Sequence, residues 1–219
     1  MKITKYEHAC LLVEALDQKL IIDPGMFAES LPQDLKEVHA VVVTHIHSDH
    51  LDKERLQAIV VANPEVTVFA PQDVLDEIQE IEAKKELAET GVSHTAGSFA
   101  LEFFGHDHAV IYEKVPCENV GVMVNKTLYY PGDSFTKPNG DKIPLLALPA
   151  GAPWMKVGEA MDFMKAVMPG SVFPTHNAVY SEAGAMFTDT WLSQQAMALG
   201  AEYKVLKPGD SIDIPVTTP

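Results

Sequence analysis

In the stretch VVVTHIHSDHLD, residues 41–52, three histidines and two aspartates follow three valines and a threonine. The β-branched run predicts a strand that carries the chain, extended, into Thr44. Imidazoles and carboxylates crowded behind a buried strand need either water or a shared positive charge. His45 and His47 are two residues apart, so in an extended segment they project to the same side. A turn through Ser48 lets Asp49 and His50 point toward a second, adjacent position. Four ligand-type side chains within six residues make metal binding the chemistry of this stretch, one ion on the first pair and a neighbouring ion on the second.

More ligands follow at later strand ends. FFGHDHA places His106 and His108 just past an apolar run, LYYPGDS places Asp133 after a Pro-Gly turn, and VFPTHN places His176 after another apolar run. Each is weak alone, since Asp after Pro-Gly is commonly a turn residue. Together they repeat one arrangement, a ligand delivered where a strand ends and loops converge. The third stretch leaves His106 and His108 open, because the two are again i and i+2.

The elements that must position these residues are legible from periodicity. Residues 2–6, 9–14, 19–22, 41–44, 66–70, 98–104, 119–124, 127–130 and 144–150 read as strands, with a short strand before His176 and two more in YKVLKPGDSIDIP. Asn125-Lys126 reads as a tight turn. Helices are predicted at about 53–62, with Asp52 as N-cap, and at 72–88, 157–168 and 182–199. Strands that first meander and then alternate with helices in both halves favour two sheets with helices outside over a parallel dinucleotide-binding sheet. Neither G-x-G-x-x-G nor a P-loop occurs.

The 219 residues, 47% hydrophobic, fit one domain over 1–219, with no linker or repeat. The N-terminus lacks a signal-peptide pattern and no run is long enough to span a membrane, so a cytoplasmic protein is expected. Cys10 and Cys117 then read as reduced packing residues. A formal net charge of −15, from 16 basic and 31 acidic residues, argues against nucleic-acid partners. Part of the acid excess lies on PQDVLDEIQEIEAKKELAET, which reads as a solvated helix. The expected partner is a small-molecule substrate, without nucleic acid or membrane, and homo-oligomer formation stays open.

The order His45-x-His47-x-Asp49-His50, then His108, Asp133 and His176, resembles the metallo-β-lactamase superfamily of binuclear hydrolases over almost the whole chain. HACLLVE, YYPGDSF and GHDHAVIY resemble its simple metal-dependent hydrolase branch, which includes ascorbate-6-phosphate lactonase-like proteins. The resemblance implies an α/β (α+β) fold, an αββα four-layer sandwich with the metals at one edge. It selects His108 as the ligand and leaves His106 behind it. It further implies one ion on His45, His47 and His108, a second on Asp49, His50 and His176, and Asp133 bridging. Two divalent metal ions are implied, zinc foremost, with manganese and iron also suited to mixed His/carboxylate sets. Asp23 in LIIDPG matches an early aspartate that supports the metal loop from behind the ligands.

The implied activity is cleavage of a small ester, lactone or phosphate ester by a hydroxide held between the two ions, with Asp49 orienting it and shuttling its proton. The alternatives on the same fold are a metal-dependent nuclease or phosphodiesterase and an iron-dependent sulfur or oxygen redox enzyme. Diiron reductases of this type carry Glu where His47 stands. His8 resembles a histidine that faces substrate or satisfies local backbone. Trp154 and Lys156 in GAPWMKVGEA, and Tyr180, read as residues that support the ligands from behind or contact substrate, with an ordinary solvated side chain the other reading of Lys156. His39 and His94 read as exposed loop residues. Met155, Met161, Met164 and Met168 read as helix-core packing.

Overall fold

The computed structural model describes residues 1–140 and 142–215. The chain opens as a meander of β1 (Lys2–Lys5), β2 (Leu11–Ala15) and β3 (Gln18–Ile22), then adds β4 (Val38–Val42), α1 (Lys53–Ala62), β5 (Thr67–Ala70), α2 (Gln72–Glu77) and β6 (Lys84–Leu87). β1, β2 and β3 pair antiparallel, and β3 through β6 pair parallel. The second half runs β7 (Ser93–Ala96), β8 (Phe99–Phe104), β9 (Gly121–Val124), β10 (Leu128–Tyr130), β11 (Leu145–Pro149), α3 (Val157–Val167), β12 (Ser171–Thr175), α4 (Glu182–Ala198) and β13 (Glu202–Tyr203). β14 (Ser211–Asp213) returns to pair with β1, which gives the orders β14-β1-β2-β3-β4-β5-β6 and β13-β12-β11-β10-β9-β8-β7.

Alternation along the strands produces four layers. Leu11, Val13, Leu20, Ile22, Ala40 and Val42 of the first sheet join Leu101, Phe103, Val122, Val124 and Phe173 of the second in a core between the sheets. The intervening Leu12, Ile21, Val41 and Val43 face outward onto Leu56, Ile59 and Val60 of α1. On the far side, Leu146, Leu148 and Val172 pack beneath Ala160, Phe163 and Met164 of α3 and Leu192 of α4. α1 starts where the sequence predicts, with Asp52 accepting a bond from Arg55 N at 3.1 Å. Among the described residues no helix is long and apolar enough to cross a membrane.

Several expectations fail for non-local reasons. The helix predicted over 72–88 stops at Glu77. Ile78 and Ile81 still fill the outer face of the sheet, but residues 84–87 pair with the open edge of β5 instead of continuing the helix. β7 has no apolar alternation, and pairing with β8 alone makes it a strand. His39 and His94 are therefore strand residues, and His94 packs edge-on to Phe69 and Phe103 at 5.2 and 5.8 Å. β4 ends two residues before Thr44, whose N–H turns to a side chain. Met168, expected in the helix core, caps α3 in a left-handed conformation and is 49% exposed, while Phe163 is buried in the helix core.

Candidate metal centre

The ligand-type residues collect at one rim of the sandwich, each just past a strand end. Asp23, after β3, is fully buried and receives bonds from Thr44 N, Thr44 Oγ1 and His50 Nδ1, all at 2.7 Å. It thereby ties the loop after β4 to the loop after β3. Gly25 packs so closely on the Asp49 carbonyl that no Cβ would fit. After β10, Gly132 takes φ +64 where a Cβ would strike the side chains of Asn119 and Thr44, and Asp133 N donates to Asn119 Oδ1 at 2.9 Å. After β12, His176 N donates to the His8 carbonyl at 2.9 Å. His8, Asp23 and His176 all have φ between 48° and 60°. Left-handed backbone is costly outside glycine, and here it recurs at the site.

Three groups of potential ligand atoms form, the atoms within each lying within 4.8 Å of one another: His45, His47 and His108; His8, Asp49, His50 and His176; and His45, His50 and Asp133. Asp133 thus lies between the first two groups, its carboxylate 3.0 Å from His176 Nε2, 3.3 Å from His50 Nε2 and 3.4 Å from His108 Nε2.

The imidazoles are fixed from behind. Nδ1 of His50 donates to Asp23, that of His108 to the Ala109 carbonyl at 2.6 Å, and that of His176 to the Gly151 carbonyl at 2.6 Å. His45 Nδ1 lies 3.1 Å from Thr44 Oγ1, whose own proton goes to Asp23. These bonds leave the Nε2 lone pairs turned inward. Nε2 of His45, His50, His108 and His176 and Oδ1 of Asp133 are buried without any hydrogen-bond partner. So many orphaned acceptors in one place are expensive unless a cation satisfies them. The donor set fits divalent metal.

The electrostatics agree. Burial, reinforced by neighbouring imidazoles, pushes the His45 and His47 pKa values below the ordinary range. At His50 burial opposes the charge, yet Asp133 and Asp23 outweigh it and raise the pKa well above normal. His176 is likewise penalised by burial but lifted to about 9 by Asp133 and Asp49. Burial alone would raise Asp133; the surrounding His50, His108 and His176 instead hold it well below the carboxylate range. The cluster combines ionised carboxylates with a demand for positive charge.

The remaining predicted residues land variously. His8 reaches the centre itself, its Nε2 2.9 Å from Asp49 Oδ2. Trp154, expected as a pocket wall, donates from Nε1 to Asp133 Oδ2 at 2.8 Å. Tyr180 packs its ring against Gly151, behind His176. His106 is not behind the ligands: its side chain is 74% exposed and pairs with Asp107 at 2.8 Å. Lys156 is an exposed residue at the start of α3. Cys117 is not core packing, since its Sγ lies 3.9 Å from His47 Nε2, and burial pushes its thiol up to about 12. Asn119, buried and clamping the turn before Asp133 through Pro131 O and Asp133 N, carried no local signal.

A family model described as a beta-lactamase superfamily domain matches residues 2–176, and the chain belongs to that superfamily. Among its relatives, the protein Rv0786c of Mycobacterium tuberculosis is 32% identical over 185 residues, covering 82% of this chain and 85% of its own. A UPF0173 metal-dependent hydrolase of Carboxydothermus hydrogenoformans is 25% identical over 230 residues, covering 97% and 99% of the two chains. The metallo-beta-lactamase fold protein YhfI of Bacillus subtilis superposes with a TM-score of 0.73 at 19% identity, over 97% of this chain and 99% of that one. The two sheets flanked by helices are that fold.

Proposed function

We propose that this protein is a metal-dependent hydrolase that cleaves a small ester, lactone or phosphate ester at a centre of two divalent cations. One observation carries the reading: four imidazole Nε2 atoms and a carboxylate oxygen are buried, unpartnered and convergent. His45, His47 and His108 would hold one cation and Asp49, His50 and His176 the other, with Asp133 reaching both. Zinc leads, and manganese or iron suits the same donors. When bound, such cations acidify water and polarise the group being cleaved.

The chain's own residues do the rest. Trp154 holds the Asp133 carboxylate in one orientation through its indole N–H. Asp49, its side chain 24% exposed, is the carboxylate of the cluster open to the rim, where it can accept and pass on a proton. His8 anchors Asp49 from the buried side. The low count of basic residues speaks against polynucleotide substrates.

Elemental analysis of purified protein should find close to two divalent metals per chain, with turnover in a screen of lactones, phosphodiesters and thioesters. Asp133→Asn should weaken metal affinity roughly 100-fold, the scale of losing a buried charged partner, ~3 kcal/mol. A single tightly bound iron with dioxygen consumption would replace this reading by a redox one. Two metals and full turnover in Asp133→Asn would refute the bridging role.

A further inference from the structure

A groove of about 930 Å³ runs between the start of the chain, α4 and the segment joining β13 to β14. That volume suits a small-molecule site. His8 lines it, and His8 is also the residue bonded to Asp49, so groove and metal centre share a wall. Tyr180, next to Gly151 behind His176, lines it as well. Much of the remaining wall is apolar, including Ala185, Met186, Val205 and Leu206.

Lys5 is the anomaly in that wall. It sits on β1 two residues from Ile3, which is fully buried between the sheets, and is itself only 2% exposed. An ammonium carries three N–H donors. Among the described residues the Lys5 ammonium has one acceptor, the Tyr6 carbonyl at 3.2 Å, and no carboxylate within ion-pair distance. The acids lining the same groove are engaged elsewhere or exposed. Glu7 accepts from Ser30 N and Oγ, Asp189 accepts from Tyr203 Oη at 2.6 Å, and Glu182 faces solvent. A buried cation without an ion pair is costly to keep, the charges of Glu7 and Asp189 offset only part of that cost, and an apolar residue would fill the position without it. Burial lowers the Lys5 pKa to about 8, so the charge survives at neutral pH.

We propose that this groove binds a small organic anion with an apolar body, its carboxylate or phosphate on the Lys5 ammonium and its apolar part along α4. The inference rests on the hydrolase reading and deepens it, since it assigns to the substrate an anionic group distinct from the bond that is cleaved.

Calorimetry with three non-hydrolysable probes on the metal-loaded protein tests it: benzoate, phenylphosphonate and uncharged benzamide. At least one anion should bind ten-fold or more tightly than benzamide, and whichever anion leads identifies the carboxylate or phosphate class. Lys5→Met should erase that preference. Met186→Glu, which adds a negative charge to the groove wall and leaves β1 intact, should weaken the anion at least five-fold and benzamide less than two-fold. It decides the matter alone if Lys5→Met does not fold. Equal or absent binding of all three probes by the parent protein overturns the proposal. So does anion binding indifferent to both substitutions, because the anion then sits on the metals. Ester turnover enters none of these measurements, so a failure to hydrolyse would refute the hydrolase reading and leave the groove result standing.

Discussion

Asp23 offers the sharpest test of how the centre is built. Replacing it with alanine strips the acceptor from three donors held at 2.7 Å. The Thr44 hydroxyl finds a substitute in His45 Nδ1, 3.1 Å away, once that imidazole moves its proton to Nε2. Thr44 N–H has none, and His50 Nδ1–H has only the Tyr130 hydroxyl at a long 3.5 Å, so both stay buried and poorly satisfied. Each orphaned donor costs ~1–3 kcal/mol. Position 23 also takes φ 48, which Asp and Asn tolerate better than Ala, adding about 1 kcal/mol. The expected loss is ~3–7 kcal/mol, a large share of the ~5–15 kcal/mol that usually holds a protein folded. Urea unfolding of chelator-treated Asp23→Ala, followed by circular dichroism, measures it. Asp23→Asn keeps one acceptor and the backbone preference, and should lose about half as much. Because His50 is then free to rotate, metal analysis should show the ion on its side depleted in both variants. A destabilisation under ~1 kcal/mol with metal content unchanged would refute this account, since the loop would then hold its shape without the carboxylate.

Two further outcomes are expected. His108→Ala should remove about one metal ion per chain by elemental analysis, whereas His106→Ala, at an exposed side chain, should leave metal content intact; the reverse pattern would assign the third ligand to His106. Lys5 sheds its proton near 8 in the folded protein against 10.5 for an ordinary lysine, so the unfolded chain binds more protons in between and the parent protein gains stability as pH rises from 8 to 10.5. The gain is about 3 kcal/mol relative to Lys5→Met by chemical denaturation, and parallel pH profiles would contradict it.

What the sequence made legible was local. His45, His47, Asp49 and His50 are close together in the chain, so their grouping needed no knowledge of the fold. The cap at Asp52 and the buried face of α1 follow from spacing alone. His108, Asp133 and His176 were reachable because each follows an apolar strand. Illegible features depend on distant partners. Lys84–Leu87 becomes a strand only because β5 presents an open edge. Trp154 finds Asp133 across 21 positions and His8 finds Asp49 across 41, and neither pairing leaves a periodic trace. His106 and His108 share a parity, but Gly105 turns at φ +85 after β8, so strand alternation no longer decides which way they point. A charged Lys5 on the inward face of β1, in phase with Ile3, was a signal available in the alternation.

The candidate ligands come from both sheets. His45, His47, Asp49 and His50 follow β4 of the first, while His108, Asp133 and His176 follow strands of the second. A cation held by His50 and His176 would act as a cross-link closing a loop of roughly 130 residues, and loop closure of that length constrains the unfolded chain strongly. Neither half of the polypeptide can assemble the centre alone. A bound ion would therefore add, by mass action, to the hold that the apolar core already gives the two sheets.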